Sequence, residues 1–242
     1  MRIDDPLALR LEPYLGVPWS APWTAEAVIA TLEPMVLEER RQRILEVIAG
    51  RVGSVTVLMD APNDPHNGAA VMRTADAFGV QIVHVVPRAE GFFVSSSVAK
   101  GTQRWIDTVQ HESAEAAVRS LRQQGFELVA THPKGELEPA DLAQVKKLCL
   151  VLGNEHDGIR DALAQAADRS VRIPMRGFVE SLNVSVAAAV LLAAAAGPRP
   201  GDLPDRERRL LYARGLYQTV NRAAEVLEAS EIPADPASRI PR

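Results

Sequence analysis

The stretch RIPMRGFVESLNVSVAAAVLLAAAAG, residues 172–197, narrows what this chain can fold into more than any other. It begins as a short β-like run ending at Pro174. It then passes through a tight polar loop holding Gly177, Glu180, Ser181 and Asn183, and finishes in an Ala/Val/Leu segment. A helix apolar all round belongs in a core or at an interface. The loop that feeds it therefore reads as a site on a buried platform. Ser181 and Asn183 stand where that helix begins, so each is also a plausible N-cap.

Upstream, the pattern alternates. VTVLMD (55–60) is a β-branched run of the kind buried in a parallel sheet. APNDPHN (61–67) reads as a turn, and residues 68–78 as a helix stopped by Gly79. Further strands are expected at 81–86, 106–111, 126–132, 147–153 and 170–174, with helices at 113–124 and 159–167. Strands alternating with helices predict an α/β fold: right-handed βαβ units, a mainly parallel sheet and helices on both faces. We expect three regions. Residues 1–50 form an irregular Pro-rich arm, packed by Trp19 and Trp23, followed by helices. Residues 51–197 form the α/β domain, and 198–242 a C-terminal extension with one amphipathic helix over 206–229.

Composition mainly excludes. The single cysteine, Cys149, sits in the apolar run LCLVLG, can form no internal disulfide and reads as a buried thiol. The acidic residues of MRIDDPLALR do not suit a signal peptide, and the longest apolar run is shorter than the ~20 residues a bilayer requires. A cytoplasmic protein with no membrane association is expected. There is no G-x-G-x-x-G after the first strand, no phosphate loop, no H-E-x-x-H and no G-x-S-x-G. The five histidines are scattered, so no metal is expected. A net charge of −4 argues weakly against nucleic acid, but arginines cluster at 40–51 and 199–214 among acids.

Three polar loops remain, each beyond a strand's carboxyl end, where ligands bind in open α/β sheets. The first offers His66 and Asn67, with Arg73 two helical turns on; Arg73 reads equally as a surface arginine pairing with Asp76. The second, Gly153-Asn154-Glu155-His156-Asp157-Gly158, has glycines that allow a ligand to approach the backbone, or that simply make a turn. The third is the loop 173–183.

Taken together, N-x-x-x-x-x-R-T-A-D-A-F-G (67–79), L-G-N-E-x-x-G (152–158) and I-P-M-x-G-x-V-x-S-L-N-V-S-V-A-A-A (173–189) resemble the three motifs of the SpoU/TrmH family. That family is a branch of the SPOUT superfamily of S-adenosylmethionine-dependent RNA 2′-O-ribose methyltransferases. The likeness spans about residues 35–197 and weakens towards 227. Arm 1–23 does not match the pattern.

The resemblance implies a deep C-terminal trefoil knot, a homodimer, and S-adenosyl-L-methionine as cofactor. By motif position, Gly153, Asn154, Ile173, Met175, Ser181, Leu182 and Asn183 are the cofactor candidates. Arg73, Asn67, Glu155 and Asn183 are the catalytic candidates. A guanidinium keeps its proton, so Arg73 suits stabilising a developing 2′-oxyanion better than acting as base. His66, Arg40, Arg41, Arg43, Arg104, Arg206, Arg208 and Arg209 are the candidates for RNA contact. Similarity across the flanking helices points to a D-loop guanosine of tRNA as substrate. Ribosomal RNA, or a non-catalytic RNA- or cofactor-binding module, is the alternative.

Overall fold

The computed structural model describes residues 18–19, 23–87, 105–154 and 157–230. They fall into two compact units, one running up to Gly50 and resuming at Leu203, the other spanning Arg51–Asp202.

The second unit is a six-stranded, wholly parallel sheet: β1 (Val55–Asp60), β2 (Ile82–Val86), β3 (Asp107–Gln110), β4 (Glu127–Thr131), β5 (Leu148–Leu152) and β6 (Arg169–Val171). Their order is β3-β2-β1-β5-β4-β6. The two central strands, β1 and β5, are buried along their whole length, as a sheet covered on both faces requires.

One face carries α3 (Pro65–Ala77) and α6 (Val184–Ala195), which bury Val71, Met72, Leu191 and Leu192 against Val57, Met59 and Leu150. The other carries α4 (Ala114–Gln123) and α5 (Asp161–Ala166), with Leu121 and Leu163 packed on Leu58, Leu128 and Val151. Cys149 belongs to this second cluster, and burial pushes its thiol pKa up. The far end of α6 is pinned by Arg199, which donates to the carbonyls of Ala195 and Val145 and to Ser54 Oγ.

The first unit packs helices from the N-terminal and C-terminal parts of the chain together around two apolar clusters. Helices α1 (Ala25–Leu32) and α2 (Glu38–Ala49) pack with α7 (Asp205–Thr219) and α8 (Ala223–Ala229). Val28, Leu32, Leu216 and Leu227 are buried there. Trp19 is buried as well, donating from Nε1 to the Trp23 carbonyl at 3.0 Å and lying 5.6 Å from the Tyr217 ring. Gly215 lets α7 cross close to α2, for a Cβ there would meet Ile44 Cγ2 at 2.8 Å.

Local differences from expectation have local causes. Helix α3 starts at Pro65, inside the expected turn, because Asp64 caps it by accepting from His66 N–H and proline suits the first helical position. Strand β6 ends at Val171, so Ile173 and Pro174 lie beyond the sheet. The helix expected over 206–229 breaks: Val220 is extended and Arg222 is left-handed (φ +59), which turns Ala223 and Leu227 back into the core. The connection at 88–104 lies outside the described residues.

Candidate active site

A cavity of about 470 Å³ opens beyond the carboxyl ends of β4, β5 and β6. All seven cofactor candidates line it: Gly153, Asn154, Ile173, Met175, Ser181, Leu182 and Asn183. Leu152, Val184, Ala187 and Leu191 add an apolar wall from β5 and the first turns of α6.

The loop after β5 is closed by its own backbone. Asn154 N–H donates to the Gly158 carbonyl at 3.0 Å, and Asn154 Oδ1 accepts from Asp157 N–H at 2.8 Å. A Cβ on Gly153 would lie 2.3 Å from the Gly158 carbonyl carbon, so only glycine fits. The close approach that this glycine permits is thus to the loop's own far side. Asn154 is buried and Gly158 has φ +69.

The loop before α6 ends on Asn183, which caps the helix: its Oδ1 accepts from Ser185 N–H (2.8 Å) and Ser185 Oγ–H (2.6 Å). Its amide has a second task, donating from Nδ2 to Asn67 Oδ1 at 3.1 Å. One side chain therefore both caps α6 and reaches across to Asn67. Asn67 sits in the first turn of α3, next to exposed His66. Arg73 is exposed further along α3 and is not among the cavity's lining residues. Asp76, the alternative partner considered for Arg73, is held by buried Arg51 at 2.5 Å.

Thr131, His132 and Pro133 also line the cavity and were not expected from sequence. Their signal would have been the strand order, since β4 pairs with both β5 and β6.

Glu155 and Arg104 lie outside the described residues. The remaining arginine candidates belong to the other unit. Arg40, Arg43, Arg206 and Arg209 are exposed; Arg41 is bonded to Glu33 and Glu38, Arg43 to Glu46 (3.3 Å) and Arg209 to Glu26 (3.0 Å). Arg208 donates to the Leu203 carbonyl at 2.7 Å. Among the described residues no group of three His, Cys, Asp or Glu side chains is placed to hold a metal ion, and no helix is long and apolar enough to cross a membrane.

Known proteins resemble this chain in sequence and in fold. Residues 54–193 match the family model described as the SpoU rRNA Methylase family. The chain is 34% identical over 196 residues to the tRNA (guanosine(18)-2′-O)-methyltransferase of Escherichia coli, covering 77% of this chain and 86% of that one. It is 36% identical over 185 residues to the Thermus thermophilus enzyme of the same name, covering 76% and 94%. A Bordetella pertussis 23S rRNA (guanosine-2′-O-)-methyltransferase is 33% identical over 179 residues, covering 73% and 72%. Among solved structures, the Aquifex aeolicus TrmH/SpoU tRNA modifying enzyme superposes with a TM-score of 0.67 at 27% identity, covering 76% of this chain and 98% of that one. The Streptomyces viridochromogenes methyltransferase AviRb, in complex with AdoMet, gives 0.53 at 30% identity, covering 59% and 56%.

Proposed function

The chain belongs to the SpoU rRNA methylase family, and on that premise we propose that it methylates a ribose 2′-OH of RNA from S-adenosylmethionine. The observation that carries this reading is the meeting of three loops: the cavity gathers Gly153, Asn154 and Gly158 from beyond β5 with Ile173, Met175 and Ser181 from before α6, and Asn183 ties its rim to Asn67 at the head of α3.

The cavity suits the cofactor. About 470 Å³ falls within the usual 300–1,000 Å³ of small-molecule sites. Its lining joins apolar side chains with backbone at Gly153 and Asn154 and the Ser181 hydroxyl, a donor set suited to a nucleoside carrying an amino-acid tail. When bound, S-adenosylmethionine supplies a methyl group on a sulfonium, electrophilic without further activation. Leu152, Ile173 and Met175 would give the cofactor's pocket an apolar wall that excludes water, which favours a step in which charge is annihilated. Asn67 and Asn183 would orient the ribose side of the site. Arg73 would stabilise the negative charge that grows on the 2′-oxygen while its proton passes to a phosphate of the RNA held by the same guanidinium, with Glu155 fixing the guanidinium's orientation.

We take tRNA, and a D-loop guanosine in it, as the substrate, because the relatives that match along most of this chain are named for guanosine 18 of tRNA. Ribosomal RNA is the second reading, favoured by the Bordetella relative. The reaction would run in the cytoplasm, with His66, Arg40, Arg41, Arg43, Arg104, Arg206, Arg208 and Arg209 as the candidates for RNA contact.

The trefoil knot belongs to the same proposal, with 173–183 as its threaded segment and α6 as its anchor. So does the homodimer. Phe178, Val179, Val186 and Val190 form an exposed apolar set on and beside α6, a helix that buries only its opposite side. Sedimentation should give twice the chain mass, and Val190→Arg should shift it towards one chain.

The deciding experiment is transfer of labelled methyl to total tRNA and to ribosomal RNA, with the modified nucleotide mapped. Label at a single tRNA guanosine 2′-oxygen is expected. Label only in ribosomal RNA replaces the substrate, and label in neither overturns the reading.

A further inference from the structure

Asp60 is the last residue of β1 and is wholly buried. Both its oxygens are occupied by one residue a hundred positions away. Oδ2 accepts from Arg160 N–H at 2.7 Å, and Oδ1 accepts from Arg160 Nε at 2.8 Å and Nη2 at 2.5 Å. Two N–H groups of the planar guanidinium converge on the single oxygen Oδ1, and the main chain of the same residue takes the other oxygen.

What lies on either side of this contact gives it meaning. Arg160 lies two residues beyond Gly158, whose carbonyl closes the loop on Asn154 N–H, and it heads α5. That loop is therefore fastened at its neck by its own backbone and at its exit by Asp60. On the other side, Asp60 is followed by Ala61, held at φ +46, a conformation costly for a residue with a Cβ. Ala61 N–H donates to the Val86 carbonyl at 2.8 Å, and three residues on Asp64 caps the helix that bears Asn67 and Arg73. A left-handed alanine persists only where its surroundings dictate it, and the Asp60 clamp and the Val86 bond do so here.

We propose that Asp60 and Arg160 are positioning residues for methyl transfer: their contact sets the loop carrying Gly153 and Asn154 against the turn that aims Asn67 and Arg73. This rests on the function proposed above. The clamp touches neither the cavity nor a reacting atom, and acts by holding the two loops in register. Misplacement of reacting groups by about 1 Å is enough to slow such a step by about a hundredfold.

The test uses Arg160→Lys, Asp60→Asn and the double variant in the full chain. Lysine keeps the main-chain bond and a positive charge beside Asp60 but loses the fork, so this variant is expected to fold. Folding is checked by circular dichroism and a melting curve, with all assays run well below the melting temperature. At saturating RNA and cofactor, kcat of Arg160→Lys is expected to fall tenfold or more, with KM for RNA within twofold. The dissociation constant for S-adenosylmethionine, from calorimetry, should rise at least threefold. The double variant should be no worse than the poorer single one, as for two groups acting through one contact. A folded Arg160→Lys with kcat and cofactor affinity both within twofold of the parent overturns the proposal. If the parent itself transfers no methyl to any RNA, the functional reading fails, and cofactor affinity in the same variants still decides whether the clamp sets the 153–160 loop.

Discussion

Asn183 Nδ2 lies 3.1 Å from Asn67 Oδ1, joining the first turns of two helices that are 116 residues apart in the chain. Because the same amide's oxygen caps α6, one side chain both starts a helix and fixes the rim of the cavity.

The two roles separate by substitution. Asn183→Ser keeps a good cap but is too short to reach Asn67, so stability should stay within about 0.5 kcal/mol of the parent. Asn183→Ala loses the cap and should cost about 1 kcal/mol. Methyl transfer is expected to drop at least tenfold in both. Urea midpoints and initial rates measure the two effects, and full turnover in the serine variant would show that the Asn67 link is dispensable.

Arg73 is exposed on α3 and outside the cavity lining. Arg73→Ala should therefore leave cofactor affinity within about twofold while abolishing turnover, by the ~10²–10³ that one oxyanion contact supplies. Arg73→Lys should also be poor, since the planar fork is lost. Calorimetry with S-adenosylmethionine beside the label-transfer rate reads both; near-normal turnover in the alanine variant removes Arg73 from the mechanism.

Gly153→Ala forces the 153–158 loop to open, because the new methyl would sit 2.3 Å from the Gly158 carbonyl carbon. Cofactor affinity is expected to weaken by tenfold or more. The melting temperature should fall only modestly, since the strand leading into the loop is held by β1 and β4 on either side. Affinity equal to the parent's would mean the loop does not shape the cofactor site.

His84 and His111 form a buried stacked pair with ring nitrogens 2.8 Å apart, one ring donating N–H to the other. Burial, and then the neighbouring His111, push His84 down from 6.5 to about 3, and burial lowers His111 as well. The unfolded chain thus binds protons that the folded one refuses. The contribution of the pair is complete above about pH 6.5 and is lost as pH falls from there towards 3. Each ring can remove up to ~1.4 kcal/mol per pH unit in that window. Unfolding free energy measured between pH 7 and 5.5, above the range where carboxylates titrate, should decline, and His84→Leu should flatten the decline. A parent curve that is flat in that interval contradicts the assignment.

Local chemistry was legible in the residues themselves. β-Branched runs marked the buried strands, Ser113 and Gly125 bracketed α4, and the polar loops 153–158 and 173–183 carried all seven residues expected around the cofactor, every one of which lines the cavity. These features depend on neighbours a few positions away, which periodicity and turn chemistry report directly. The arrangement of the loops depends on strand order, which no local pattern encodes. Only the tertiary structure set β4 between β5 and β6, bringing Thr131 and His132 to the cavity. Only it bonded Asn67 to Asn183 and Asp60 to Arg160, and packed helices from the N-terminal and C-terminal parts of the chain together. Contacts over a hundred residues or more arise from how buried faces pack and pair across the sheet, and that choice is made by the whole core at once.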